Sequence, residues 1–185
     1  MRIVGGSLRG RVLKAPQSQS VRPTSDRLRE SIFDILAHAY DDPVAGAQVV
    51  DLFAGTGALG LEALSRGAAR ALFVDDGAEA RALLRANVEA LGVGGVTRVF
   101  RRDATKLGLA PAGERFSLAF LDPPYGRDLA TRALTSLVEG GWLADDALVV
   151  IEEAADAPLS MPAGIAEEER RRYGETQIVI ARRAR

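Results

Sequence analysis

The chain has no cysteine and a single histidine, His38. The first absence excludes disulfides and thiolate metal sites. The second leaves an imidazole-rich centre without ligands, so no metal is expected. No stretch approaches the roughly 20 apolar residues that cross a bilayer, and the amino terminus lacks the apolar core of an export signal. A cytoplasmic protein with no membrane partner is expected. Internal repeats, low-complexity tracts and long linkers are also missing. At 185 residues there is room for one globular domain with a real core and not for two ordinary ones.

The formal net charge of −1 hides an asymmetry. Residues 1–30 carry seven basic side chains (Arg2, Arg9, Arg11, Lys14, Arg22, Arg27 and Arg29) against Asp26 and Glu30, a net +5 that leaves −6 on residues 31–185. A basic arm on an acidic body suits a polyanion touched mainly through the arm, although a solvated charged end has the same composition. Arg2-Ile-Val4 and Arg11-Val-Leu-Lys14 read as two short strands around a glycine-rich turn, a small N-terminal β-hairpin. Residues 1–20 are thus expected to form a basic arm, and residues 21–185 the main body. Arg2, Arg9, Arg11, Lys14, Arg22 and Arg27 are the candidate phosphate contacts, each adding to the salt sensitivity of binding. Arg27 and Arg29 could instead pair with Asp26, Glu30 or Asp34 along their own helix.

That helix is predicted over residues 25–38, with Thr24 as its cap, Pro23 stopping it backward, and Leu28, Ile32, Phe33, Ile35 and Leu36 at helical spacing. His38 near its end suits the helix dipole better than catalysis. From residue 47 strands and helices alternate. Strands are expected at 48–53, 71–74, 96–101, 116–121 and 147–151, with helices at 57–66, 78–91 and 128–139. Gly92 suits a left-handed cap. Apolar strands separated by helices give a doubly wound, mostly parallel α/β sheet. Residues 165–173 and 176–181 around Gly174-Glu175 read as an antiparallel hairpin added to the sheet edge.

The first strand runs into Asp51-Leu-Phe-Ala-Gly55-Thr-Gly57-Ala-Leu-Gly60. The glycine spacing matches a dinucleotide fingerprint, which alone is weak evidence. Asp51, four positions before the first glycine, would repel a phosphate but suits the cationic amino group of a methionine moiety. Phe53 and Ala54 shape the approach, and Gly55 and Gly57 let backbone come close to a ligand; Gly60 serves helix–strand packing. Asp75 ends the second strand and can accept both ribose hydroxyls. Asp103-Ala104 ends the third, where a carboxylate and a backbone N–H could face adenine. Three aspartates at successive strand ends, the ligand-binding edge of such sheets, point to a nucleoside cofactor.

Asp122-Pro123-Pro124-Tyr125 ends the fourth strand. A base amine is a poor nucleophile because its lone pair is delocalised. Two acceptors on its N–H groups, Asp122 Oδ and the Pro123 carbonyl, would favour pyramidal geometry. The fixed φ of both prolines helps to aim that carbonyl, and Tyr125 offers a face on which an extruded base stacks. Loop and tetrapeptide together imply methyl transfer from S-adenosylmethionine to an amine nitrogen, catalysed mainly by orientation. They leave open a DNA adenine or a protein glutamine as acceptor. More remotely, a nicotinamide-dependent oxidoreductase or a non-catalytic RNA-binding module remains open.

Several further segments carry a resemblance. Arg2-Ile-Val-Gly-Gly-Ser-Leu-Arg-Gly-Arg11, Arg22-Pro-Thr-Ser-Asp-Arg-Leu-Arg-Glu30, the glycine loop through Arg66, the tetrapeptide, Gly141-Trp-Leu143 and Tyr173-Gly-Glu-Thr176 together resemble the bacterial methyltransferases that modify a guanine N2 in 16S ribosomal RNA. The two N-terminal segments are specific to that family; the loop and tetrapeptide are shared by many amino-methyltransferases. The resemblance implies a Rossmann-like class I methyltransferase with a seven-stranded sheet and S-adenosylmethionine as donor. It also implies an assembled or protein-bound small ribosomal subunit as substrate; separately, a monomer is expected. One departure stands out: two positions after the ribose acid the family usually has a polar residue, and here it is Gly77.

Overall fold

The computed structural model describes residues 1–17 and 24–185. Its order is α1 (Asp26–Ala39), β1 (Gln48–Leu52), α2 (Ala58–Ser65), β2 (Arg70–Val74), α3 (Ala78–Leu91), β3 (Thr97–Phe100), β4 (Phe116–Leu121), α4 (Leu129–Glu139), β5 (Leu143–Ala154), β6 (Ile165–Tyr173) and β7 (Thr176–Arg183). Among the described residues no helix is long and apolar enough to cross a membrane.

The seven strands form one sheet in the order β3-β2-β1-β4-β5-β7-β6. Strands β1 to β5 pair in parallel. The carboxy-terminal hairpin enters antiparallel, with β7 against β5 and β6 outermost. The doubly wound sheet with an antiparallel hairpin is therefore as expected. Strand residues alternate between two cores. Val49, Phe73, Phe120 and Val150 pack with α1, α2 and α3; Val50, Leu72, Leu121 and Ile151 pack with α4 and Trp142. Strands buried on both faces explain the nearly continuous apolar runs.

The crossover lies between β1 and β4. Leu52 sits opposite Leu121 in their ladder, so the next residues, Phe53 and Asp122, leave the sheet side by side. Connections at such a switch point diverge to opposite faces and leave a crevice.

Several local expectations are corrected. Ser25, not Thr24, caps α1, its hydroxyl accepting from the Leu28 amide at 3.1 Å; Pro23 lies outside the described residues. Strand β1 stops at Leu52 because Phe53 adopts φ +57°. Asp128 precedes α4 but its side chain makes no capping bond. The small N-terminal hairpin is present as expected, though short, with Arg2 and Val12 as its antiparallel bridge. Backbone bonds from Ile3 to Arg11, Gly10 to Ile3 and Leu13 to Met1 close it, and side chains of the helices beneath anchor it to the body. Buried Glu62 accepts from the Val4 and Gly5 amides, Ser65 Oγ from Leu8, and Asn87 Oδ1 from Lys14. Ile3 and Leu13 are buried in the core.

Gly57 shows why the loop needs glycine for its own fold. It has φ +83°, and a Cβ there would lie 2.3 Å from Leu84 Cδ1. Gly57→Ala is expected to lose about 1–3 kcal/mol of stability through this strain, read as a lower urea midpoint at unchanged slope. At Gly60 a Cβ would lie 2.4 Å from the buried Phe73 ring, in keeping with its expected packing role.

Candidate active site

Burial dominates the chemistry of Asp51. It is 1% exposed, and its Oδ2 accepts the Gly60 amide at 3.0 Å. Burial, reinforced by the charge of Asp75 and opposed by the Gly60 bond, raises its pKa to about 8. A carboxylate so desolvated is stabilised by a cation that can reach it. It lines a cavity of about 20 Å3 with Thr24, Phe53, Ala54, Gly55 and Asp122.

A larger cleft of about 750 Å3 shares Phe53, Gly55 and Asp122 with that cavity and adds Asp75, Gly77, Pro123, Pro124 and Tyr125. Asp122 is thus common to both, as the β1–β4 register requires. Phe53, a bulky residue with positive φ at the junction, is a strained conformation of the kind that collects at functional sites.

Asp75 is held by two backbone amides, Gly55 on Oδ2 at 2.9 Å and Gly77 on Oδ1 at 2.8 Å. Each carboxylate oxygen retains a second lone pair for a hydroxyl donor. At Gly77, the departure from the family pattern, the backbone N–H holds Asp75 and there is no side chain to add a contact. Asp103 and Ala104 are not among the residues lining either cavity. Asp103 is exposed, and Oδ1 accepts both the hydroxyl and the amide of Thr105, which hold its pKa below the usual range. Ala104 is buried.

Around the tetrapeptide lies a polar network that sequence reasoning missed. The Thr24 hydroxyl donates to Asp122 Oδ2 at 2.7 Å, with Glu152 Oε2 at 3.2 Å as second acceptor. Tyr125 donates its phenolic proton to Glu152 Oε1 at 3.1 Å and lies 2.8 Å from Thr176 Oγ1. Glu152 is 3% exposed, so one buried carboxylate joins the entry to α1, the tetrapeptide and the start of β7. The signal available was Glu152-Glu153 directly after an apolar strand, at the edge where ligands bind.

The basic residues divide by exposure. Arg2, Arg9, Arg11, Lys14 and Arg27 are exposed. Arg2 also donates to the Gly10 carbonyl and Arg11 to Ala90. Arg22 lies outside the described residues. Arg29 is fully buried, paired with Asp26 at 2.9 Å and donating to the Thr24 and Arg2 carbonyls, so it faces no external phosphate. Asn87 Nδ2 donates to the carbonyls of Lys14 and Thr56, which fastens the basic segment to the glycine loop. His38, exposed in the last turn of α1, bonds through Nδ1 with the Asp34 carbonyl at 2.8 Å.

Known proteins bear on this arrangement. The family model described as "Conserved hypothetical protein 95" matches residues 1–182. Ribosomal RNA small subunit methyltransferase D of Escherichia coli K12 is 42% identical over 165 residues, which is 88% of this chain and 80% of that protein. The Haemophilus influenzae protein of the same name is 34% identical over 164 residues, covering 88% and 83%. The solved structure of the Escherichia coli protein yhhF superposes with a TM-score of 0.85 at 36% identity, covering 100% of this chain and 98% of that one.

Proposed function

The chain belongs to the conserved hypothetical protein 95 family, and from that premise we propose that it methylates the exocyclic N2 of a guanine in 16S ribosomal RNA, with S-adenosylmethionine as donor. The observation that carries this reading is the position of Asp122. It lines both the small cavity around Asp51 and the large cleft around Asp75, so an amine held by Asp122 lies beside a nucleoside bound along the loop.

Bound S-adenosylmethionine supplies a methyl group on a sulfonium that needs no further activation. The protein's part is to bind and orient. Asp51 pairs with the amino-acid ammonium, which removes the penalty of its buried charge. Phe53, Ala54, Gly55 and Gly57 shape the floor, and Asp75 takes the ribose hydroxyls. Asp103, with Oδ1 held by Thr105, offers its other oxygen to the adenine amine beside the Ala104 amide. Asp122 and the Pro123 carbonyl accept hydrogen bonds from the two N2 hydrogens of guanine, one of which leaves as a proton to solvent when the nitrogen takes the methyl group; Pro124 stiffens the turn, and Tyr125 stacks on the extruded base. The Thr24 bond directs the Asp122 carboxylate, and the Glu152 bond fixes the Tyr125 ring. Residues 1–20 act as an RNA-facing arm on the body formed by 21–185. Arg2, Arg9, Arg11, Lys14, Arg22 and Arg27 grip phosphates without reading sequence. The substrate is an assembled or protein-bound small subunit, met by a monomer in the cytoplasm.

The test is incubation with labelled donor and undermodified small subunits, followed by mass mapping of nucleosides. N2-methylguanine at one position is expected. Label appearing instead in DNA adenine or protein glutamine, or no label although S-adenosylhomocysteine binds, would overturn the assignment.

A further inference from the structure

A second concavity of about 620 Å3 lies between the first turns of α1 and the β6–β7 turn. Ser25, Arg27, Leu28 and Ser31 form one wall, and Tyr173 and Thr176 lie on the other. Thr176 belongs to two places at once. It lines this groove while its hydroxyl lies 2.8 Å from that of Tyr125, so the groove begins behind the wall against which the target base stacks.

The groove's chemistry is mixed in a particular way. Arg27 is exposed and, among the described residues, takes part in no ion pair, whereas the neighbouring acid Asp26 is already paired with Arg29. Arg27 therefore presents an uncompensated cation beside the N-terminal end of a 14-residue helix, where backbone amides also favour an anion. The Ser25 oxygen accepts from Leu28, leaving its proton for another acceptor. Tyr173 is half-buried, packed on the core from one side, and Leu28 adds apolar surface opposite. A cation, a hydroxyl donor and an aromatic face match the phosphate, ribose and base of one nucleotide, and the volume is in the range of sites that enclose small ligands.

We infer that this groove is a subsite for the nucleotide that flanks the target guanine, with Arg27 on its phosphate and Tyr173 against its base. The inference rests on the RNA-methylating function proposed above. An enzyme that takes a base out of its stack must hold the adjoining strand as it leaves the pocket, and flanking contacts of this kind set sequence context. Single-stranded RNA is gripped in general by such pairs of phosphate and stacking contacts.

The test compares wild type with Arg27→Ala, Tyr173→Ala and Tyr173→Phe on undermodified small subunits over a range of salt. Arg27→Ala and Tyr173→Ala should each raise KM by about tenfold without a matching fall in kcat, and Tyr173→Phe should restore the wild-type value. Arg27→Ala should flatten the log–log salt dependence by about 0.7–0.9, while Tyr173→Ala leaves it unchanged. S-adenosylhomocysteine affinity should be the same in all four proteins. Unchanged KM in both alanine variants of an active enzyme, or an equal change of salt slope in both, overturns the subsite. A wild type that forms no N2-methylguanine overturns the function itself, which is a separate outcome.

Discussion

Asp122→Ala is expected to lower the single-turnover rate of methyl transfer by about 10³-fold, the scale of removing one oriented electrostatic contact from a reacting centre. S-adenosylhomocysteine binding should survive, because the proposed site holds that ligand through Asp51 and Asp75. Asp122→Asn should fall nearly as far, since an amide keeps the shape but loses the anionic acceptor. Thr24→Val, which removes the hydroxyl bonded to Asp122 Oδ2 at 2.7 Å, should fall less, with Thr24→Ser close to wild type. Rapid-quench measurements on small subunits give these rates directly. An Asp122→Ala protein within tenfold of wild type would sink the assignment of Asp122 as the amine acceptor.

Asp51→Asn should have the second largest effect, on binding. Losing one member of a buried charge pair costs about 3 kcal/mol, or roughly 100-fold in S-adenosylhomocysteine affinity. The pH dependence gives an independent check. With the Asp51 pKa raised to about 8, a proton competes with the ligand's ammonium. Wild-type affinity should weaken by up to about tenfold per unit below pH 8, and decline again above it as an α-amino group loses its own proton. The asparagine variant should lack the acidic limb. Stability of the ligand-free protein should run the other way. A raised pKa favours the protonated form, and that contribution, complete below about pH 4, is lost as pH rises through about 8. The variant cannot ionise there, so its melting temperature should change less across that window. Calorimetry and thermal melts read both. Equal affinity and equal pH slope in the two proteins would exclude Asp51 as the ammonium's partner.

The parts of this site readable from sequence are those carried by adjacent residues. Strand β4 and helix α3 have the boundaries that their apolar patterns dictate, and the glycine loop and tetrapeptide mark where β1 and β4 end. Convergence from distant segments was not readable. Thr24 and Ser25 are both competent caps, and only the packed structure decides between them, because Asp122 draws the Thr24 hydroxyl away. Strand β5 looked complete at Ile151, since two carboxylates interrupt the apolar run. Its ladder with β7 nevertheless continues through Glu152 and Glu153 to Ala154, carrying Glu152 beneath Tyr125. For Arg29 the sequence left open a phosphate contact or a pair with Asp26 along α1, and burial decides for the pair, turning it inward to Asp26 and backbone carbonyls. The N-terminal segment looked like a self-contained hairpin because Glu62, Ser65 and Asn87 lie on helices whose contacts local periodicity does not reveal.

The hairpin's mode of entry has a consequence for how these molecules meet one another. Placing β7 inside leaves β6 as the open rim, and that rim reads Glu167-Glu-Glu-Arg-Arg-Arg172. Unpaired strand edges invite a neighbour to continue the ladder, and natural sheets discourage this with charge. A newcomer would have to dehydrate six successive ionic groups, several of them already matched with Glu167, Glu169 or Asp156. The last strand added to the sheet thus also brings its growth to an end.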